Sequence, residues 1–269
     1  MSRIFVQPLL SALVLSSLVW GVVAAADELQ ARTYDIKDVT EIETYGGAKL
    51  EIIQGDNESL YAEAKPDVIN RLNVDLSGHK LTLGIKNQSG HGFHFFSWFN
   101  DNNGEHVSYR IVVKNLTSLE LSGASHAHMN SWQGKALAVR CTGASEINFG
   151  NVRFDDLFVD LSGASNGHAQ QLVTTKAKFE LSGAANMDVK DASTAKYLWV
   201  EASGASNFRA KPLATSVGDV SASGASNIEL IATETLKASA SGASNIHYRG
   251  NAKVESDVSG ASHVNFVKD

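Results

Sequence analysis

The sequence has 269 residues, 43% of them hydrophobic, and a formal net charge of -6. A chain of this length and composition can bury a substantial core in one or two domains. Its acidic balance, without a run of basic residues, argues against nucleic acid or an anionic membrane as the main partner.

Residues 1–26 have the features of a secretory signal peptide. Arg3 supplies a positive start, 9–23 is an apolar run interrupted only by small residues, and the alanines at 24–26 form a cleavage site. A retained membrane anchor is disfavoured, because the run is short and no basic stop signal follows it. We therefore expect an exported protein, periplasmic or at the cell surface, whose mature chain has no transmembrane span.

The section 27–115 is predicted to be rich in β-strands. Apolar and polar residues alternate in five segments, with turns expected at Gly46, Gly47 and Gly78: these segments are 40–44, 48–54, 59–64, 71–76 and 80–85. Pro66 favours one helical turn. We interpret the section as a cap, because the terminal units of a repeat array are usually atypical.

An insert at 87–106 interrupts this section with a polar segment that has an aromatic tip. Five aromatic side chains fall within seven residues: Phe93, Phe95, Phe96, Trp98 and Phe99. If exposed, they predict a contact with a protein, a glycan or a lipid surface. If the tip folds back, it covers the cap or the repeat region instead. We expect no metal, although three histidines of the insert are candidate ligands: His91, His94 and His106.

From 116 to 269 the chain repeats a Ser-Gly-Ala-Ser-Asn motif. Its glycines recur every 18 to 21 residues: Gly123, Gly143, Gly163, Gly183, Gly204, Gly224, Gly242 and Gly260. A constant period of this size indicates stacked units that bury their apolar faces on one another. Alternation with period two on both sides of each motif predicts two short strands joined by a small-residue corner.

The repeat length selects the architecture. At about 3.3 Å per residue, one repeat is long enough for a turn of a three-sided coil, whereas a propeller blade needs about 40 residues. We therefore predict an all-β fold, in which a right-handed parallel β-helix of about eight coils of 18–21 residues follows the β-rich capping section.

The corner residues have backbone reasons to be there, since glycine and asparagine tolerate the positive φ of a sharp turn. Stacked corners would align the asparagines in a ladder, with each amide bonded to the next coil. The predicted ladder consists of Asn166, Asn186, Asn207, Asn227 and Asn245.

The core positions beside each corner compensate in size. Where the residue two before the glycine is large, the residue four after it is usually small, as in Leu121 with Ala127, and the reverse holds for Ala202 with Phe208. This compensation indicates that both positions share one slice of a close-packed interior. The single cysteine, Cys141, occupies such a position, so we expect a buried apolar side chain rather than a reactive thiol.

The run 47–56, followed by 61–64 and 81–83, resembles the opening of the putative auto-transporter adhesin head GIN domain family. The later Ser-Gly-Ala-Ser-Asn motifs are similar to the second half of that family, so the resemblance covers nearly the whole mature chain. It implies an exported, β-helical bacterial protein without established catalytic residues. The insert at 87–106 departs from the family's usual short connection.

A row of charged residues three positions before the glycines is a second candidate site: Glu120, Arg140, Asp160, Glu180, Glu201 and Asp257. Carboxylates stacked about 4.8 Å apart repel one another unless a cation lies between them. The row therefore predicts a solvated acidic face, with a weak divalent-cation site as the alternative.

Two function classes remain. The first is an exported, non-enzymatic binding or adhesion module of the bacterial envelope or cell surface, whose partner is a surface protein or a glycan. The second is a structural scaffold or spacer of the envelope. A polysaccharide-active enzyme fits less well, because catalysis needs one serine with a base rather than a ladder of serines. We expect no catalytic residue and no cofactor, and the open final coil predicts end-to-end self-association.

Overall fold

The computed structural model describes residues 6–7, 29–86 and 107–268. The N-terminal part contains β1 (Val6–Gln7), β2 (Gln30–Tyr34), β3 (Glu41–Thr44), β4 (Ala48–Gln54), β5 (Ser59–Ala64), α1 (Pro66–Ile69), β6 (Leu72–Ser77), β7 (Lys80–Ile85) and β8 (Val107–Val113). The repeat region contains β9 (Ser118–Leu121), β10 (His126–Cys141), β11 (Glu146–Leu161), β12 (Asn166–Leu181), β13 (Asn186–Val189), β14 (Ser193–Ala202), β15 (Asn207–Ala222), β16 (Asn227–Ala240), β17 (Asn245–Arg249), β18 (Lys253–Val258) and β19 (His263–Phe266). Within the described ranges, no helix is long and apolar enough to cross a bilayer.

Each full coil of the repeat region has three sides. β10 pairs in parallel with β11 in three blocks, which begin at His126, Ser131 and Ala136. The pairing is interrupted at Asn130 and Lys135, where the chain turns from one side to the next. The same three blocks recur between β11 and β12, and parallel pairing continues through the later coils with local breaks and register shifts. This confirms the predicted parallel β-helix as a solenoid of about seven turns.

The Gly-Ala corners stack directly on one another. The amide of Ala144 donates to the Gly123 carbonyl at 2.8 Å, and the equivalent bond recurs up to Ala261, whose amide donates to Gly242 at 2.7 Å. Each corner glycine from Gly123 onwards has φ between 73° and 79°. The corners are thus a continuous hydrogen-bonded column along the solenoid.

This column extends further toward the N-terminus than the repeat motif does. The amide of Ala124 donates to the carbonyl of Gly46 at 3.0 Å, so the turn between β3 and β4 is a further corner in the stack. β3 pairs in parallel with β9, and β4 with β10. The section 27–115 therefore contributes a coil to the solenoid in addition to its cap.

Antiparallel strands close the N-terminal end. β7 and β8 pair in parallel with β3 and β4, and beyond them β6 pairs with β7, and β5 with β8, in antiparallel fashion. β2 then adds to β5, and β1 to β2. The β-rich capping section is confirmed, with α1 placing Val68 and Ile69 in the core beneath it.

The other end of the described solenoid presents an open edge. Within residues 107–268, β18 pairs with β16 alone and β19 with β17 alone. The last coil also exposes apolar side chains, with Val258 43% and Phe266 56% accessible, whereas equivalent residues of inner coils are buried. End-to-end self-association through this edge stays a prediction.

The interior is filled as the size compensation indicates. A β-carbon added to Gly167 would lie 2.6 Å from Sδ of Met187 and 3.1 Å from Cδ1 of Leu161, so neighbouring large side chains occupy the space that this glycine leaves. Cys141 is fully buried, and burial raises the pKa of its thiol to about 12. The cysteine is thus an inert core residue.

Candidate functional site

The second serine of the corner motif has a structural task. Ser206 is fully buried, and its Oγ donates to the carbonyl of Ser203 at 2.8 Å, closing the turn from inside. The same hydroxyl-to-carbonyl bond occurs at Ser125, Ser145, Ser165, Ser226 and Ser244. A hydroxyl that is buried and already donating to a backbone carbonyl satisfies the turn and is not presented to a substrate.

The contribution of this bond to stability can be measured by removing it at one corner and adding it at another, because one corner lacks it naturally. Ala185, fully buried, stands where the other corners have serine. We expect Ser206→Ala to lower the free energy of unfolding by about 1 kcal/mol, and Ala185→Ser to raise it by up to a similar amount. Chemical denaturation of both variants measures the two effects. A loss of stability in both would mean that the site of Ala185 has no room for a hydroxyl.

The asparagine side chains form a hydrogen-bonded row beside the corners. Nδ2 of Asn207 donates to Oδ1 of Asn186, and Nδ2 of Asn227 donates to Oδ1 of Asn207, both at 2.9 Å. Asn186 and Asn245 make the corresponding bonds at 3.1 Å. The asparagines are half-buried, so the row is an external brace on the stack of corners.

Asn207→Leu should cost about 1–3 kcal/mol of unfolding free energy, because it removes two ladder bonds and leaves Oδ1 of Asn186 and Nδ2 of Asn227 without their ladder partner. Asn166→Leu is the internal comparison. Asn166 accepts one ladder bond, from Asn186, and donates none, so Asn166→Leu should lower the unfolding free energy by a smaller amount. Thermal denaturation distinguishes them, and a melting temperature of Asn207→Leu equal to wild type would show that the row is merely solvated.

Three carboxylates of the charged row, those of Glu120, Asp160 and Glu180, pair with basic side chains of the protein itself. Arg140 bridges two neighbouring coils, with Nη1 3.7 Å from Oε1 of Glu120 and Nε 3.1 Å from Oδ2 of Asp160. Lys178 lies 2.5 Å from Glu180. Within residues 29–86 and 107–268, no group of three acidic, histidine or cysteine side chains is arranged to hold a metal ion. This pairing favours a solvated face at the row.

The aromatic insert lies outside the described residues. This applies to its predicted contact residues Phe93, Phe95, Phe96, Trp98 and Phe99, and to the candidate ligands His91, His94 and His106. The strands on either side fix where it joins the fold.

On one side of the insert, Leu83 of β7 pairs with Thr44, and on the other side, Val107 of β8 pairs with Ala48. Thr44 and Ala48 flank the Gly46 corner. The insert therefore connects two strands of the outermost parallel coil, at the capped end of the column.

A groove of about 370 Å³ runs across the coils formed by β10 to β13. It follows the bend between the first and second sides of each coil, where outward side chains of the two sides face each other. Polar side chains line it: His128, Asn130, Ser131, Asn148, Asn151, His168, Gln170 and Lys190. Sequence reasoning missed this groove, because outward positions are polar all around the solenoid and only the bend makes these positions converge.

Some lining side chains are held in place by neighbours. Nδ2 of Asn148 donates to Glu146 at 2.5 Å, Nε2 of Gln170 donates to Asp191 at 2.6 Å, and Nδ1 of His168 lies 3.4 Å from Asp188. Other lining residues have no such side-chain partner among the described residues: His128, Asn130, Ser131, Asn151 and Lys190. The groove thus combines braced polar groups with free ones.

Several solved structures have a similar fold. A putative adhesin from Parabacteroides merdae ATCC 43184 is 20% identical over 90% of this chain and 97% of its own, with a TM-score of 0.80. A putative lipid binding protein from Parabacteroides distasonis ATCC 8503 is 19% identical over 89% and 97%, with a TM-score of 0.80. A putative adhesin from Bacteroides fragilis NCTC 9343 is 16% identical over 90% and 97%, with a TM-score of 0.60. At such identities the likeness establishes the fold alone.

None of the curated proteins matches the sequence. The family described as putative auto-transporter adhesin, head GIN domain, matches residues 38–252. This range begins before β3 and ends before β18, so it contains most of the cap, the first corner at Gly46 and most of the repeat coils. The match confirms the resemblance found in the sequence: the chain belongs to the putative auto-transporter adhesin head GIN domain family.

Proposed function

We propose that the protein is exported and acts outside the cytoplasm, at the bacterial envelope or cell surface, as a non-enzymatic binding module whose contact is the aromatic segment 93–99. The observation that carries this proposal is the attachment of the insert between β7 and β8, whose partner strands flank the Gly46 corner at the capped end. Binding residues are commonly carried by loops that a rigid scaffold positions. The stacked coils are such a scaffold.

Aromatic side chains suit the contact. Phe95, Phe96 and Trp98 combine large apolar area with few rotatable bonds, and such residues are the usual energetic centres of interfaces with proteins and sugars. The names of the relatives, adhesin and lipid binding protein, are compatible with a partner at a surface. The solenoid then works as a rigid support that carries the aromatic segment at its capped end.

Export rests on the leader at 1–26, whose removal would take β1 away from the strands that the structure describes. β1 lies within the leader and pairs with β2 at two positions, Thr33 and Tyr34. β2 pairs with β5 along its whole length, from Gln30 to Tyr34. Loss of β1 on cleavage therefore leaves β2 anchored in the cap.

The test replaces Phe95, Phe96 and Trp98 together with serine. Binding of the purified protein to bacterial cells, to envelope fractions or to immobilised glycans should fall, while the thermal midpoint stays nearly constant. Trp199→Ser is the matched control, since Trp199 is 40% exposed on the side of the solenoid and stacks on Tyr197. Its binding should equal that of wild type.

The alternative is an envelope scaffold or spacer, and the open edge of β18 and β19 favours it. An unpaired parallel edge can accept another strand, so copies of the solenoid could be joined through this end. A markedly lower thermal midpoint of the triple serine variant would make the aromatic segment part of the packed cap. The binding proposal would then fail and the scaffold would be the better account.

A further inference from the structure

We propose that the groove across β10 to β13 is a second binding site, separate from the aromatic segment, and that it binds a neutral oligosaccharide. Its volume of about 370 Å³ falls within the range of small-molecule sites. The groove crosses successive coils that are spaced by about 4.8 Å, so it is roughly 10–15 Å long. A site of this length fits a short chain of sugar rings better than a single small metabolite.

The hydrogen-bonding groups of the groove match hydroxyl groups. Asn130 and Asn151 are exposed, and their side-chain amides have no partner among the described residues. Each amide can donate and accept at the same time, as a sugar hydroxyl does. The hydroxyl of Ser131 has the same dual capacity; Ser131 follows Asn130 in the chain and is paired in register with Asn151 of the next coil.

Other ligand classes fit the groove less well. A protein or lipid contact needs large exposed apolar side chains, and the exposed ones of the described residues lie elsewhere: Leu29, Tyr61, Trp199, Val258, Phe266 and Val267. A divalent cation needs carboxylate ligands, and none lines the groove. Binding of an anion is also disfavoured, because the ammonium group of Lys190 is the single Lys or Arg charge among the lining residues.

The backbone beneath the groove is rigid, which keeps its polar groups in position. A β-carbon at Gly150 would lie 1.8 Å from the carbonyl oxygen of Asn130, so successive coils touch closely at the bend and only glycine fits there. Behind this floor, Trp132 and Phe149 are each 3% exposed and fill the core. A preformed site of this kind loses little conformational freedom on binding.

The spacing of the coils also suits a repeating ligand. Asn130, Gly150 and Gln170 occupy the bend in three successive coils, and His128, Asn148 and His168 are paired in register beside it. A sugar chain lying along the solenoid axis would meet a comparable set of polar groups at each step. The contacts would add up along the chain, although each one is weak.

The experiment titrates the full, isotopically labelled protein with neutral tetrasaccharides of glucose, mannose, galactose and N-acetylglucosamine, and with tetragalacturonate as the acidic comparison. Nuclear magnetic resonance shifts report binding, including those of the asparagine side-chain amides. We expect saturable shifts in 128–151 with at least one neutral tetrasaccharide. The absence of saturable shifts with all four, or binding of tetragalacturonate alone, would overturn the proposal.

Variants locate the site. The double variant Asn130→Ala and Asn151→Ala should weaken binding by about tenfold or more, because two direct hydrogen bonds are lost. Asn251→Ala, an exposed amide in the turn before β18, is the matched control and should bind as wild type does. Equal affinity of the double variant and the control would contradict the proposal, once both retain the wild-type thermal midpoint.

The triple serine variant of the aromatic segment separates this site from the proposed function. It should bind the tetrasaccharide with unchanged affinity, even if its binding to cells is lost. Loss of tetrasaccharide binding in that variant would place the sugar contact on the insert and overturn the assignment of the groove. Conversely, the groove can bind sugar even if the insert proves to be a packed part of the cap.

Discussion

Gly204→Ala should lower the free energy of unfolding by about 3 kcal/mol or more, because two penalties act at one atom. Gly204 has a φ of +77°, which is strained for any residue with a β-carbon. That β-carbon would also lie 2.5 Å from the carbonyl oxygen of Gly183 in the preceding coil. The same oxygen accepts the amide of Ala205 at 2.7 Å, so relieving the clash would break the bond that joins the two corners.

A second glycine separates the two penalties. Gly78, in the turn between β6 and β7, has a φ of +62° and open space around the position of its β-carbon. Gly78→Ala should therefore lower the free energy of unfolding only by the conformational penalty, about 1 kcal/mol. Chemical denaturation of both variants measures the difference. If Gly204→Ala is no more destabilised than Gly78→Ala, the corners are not in close contact in solution.

The corner column explains why the repeat could be predicted from the sequence. A positive φ and the approach of a neighbouring carbonyl both demand glycine, so the position recurs in every coil, as at Gly163 and Gly224. In each strand, alternation with period two indicates which side chains face the core and which face solvent, whatever the partner strand is. Together these local signals were enough to predict parallel coils, their length and the alignment of their corners.

The start of the solenoid could not be predicted in the same way. The corner at Gly46 contains Tyr45 and Ala48 in the places of the two serines, and the next coil of the stack begins only at β9, after the cap and the insert. Periodicity detects units that follow one another along the chain, whereas β3 and β9 are neighbours in space alone. Long-range pairing of this kind leaves no repeat in the sequence.

The groove was missed for a different physical reason. His128 and Ser131 are ordinary outward residues of two strand blocks, and nothing in the alternation distinguishes them from other outward residues such as Lys176. Their convergence depends on the direction of the bend at Asn130, which is set by packing between coils. The buried serines, in contrast, had a signal that could have been used, since the fourth position is serine in seven of the eight repeat motifs, with Ala185 as the exception.

Phe208→Ala should lower the free energy of unfolding by about 3–5 kcal/mol, as expected for the truncation of a buried aromatic side chain. Phe208 is fully buried, and its ring centroid lies 4.9 Å from that of Phe179 in a tilted arrangement. Truncation removes this aromatic contact and leaves a cavity that rigid neighbouring coils cannot close. Trp199→Ala is the control for loss of an aromatic side chain: Trp199 faces outward and is 40% exposed, so its loss should be below about 1 kcal/mol.

A second substitution should repair much of this damage, because the position of Ala202 shares its slice of the core with Phe208. The double variant Ala202→Leu and Phe208→Ala recreates the combination of Leu121 with Ala127, which is fully buried in an inner coil. We expect it to be more stable than Phe208→Ala, while Ala202→Leu alone is destabilised by overpacking. Ala202→Leu thus lowers the stability of the wild-type protein but raises that of the Phe208→Ala protein. This difference is a favourable coupling free energy between the two positions. If Ala202→Leu destabilises the Phe208→Ala protein further, the two side chains do not fill a common volume, and the compensation seen along the sequence has another cause.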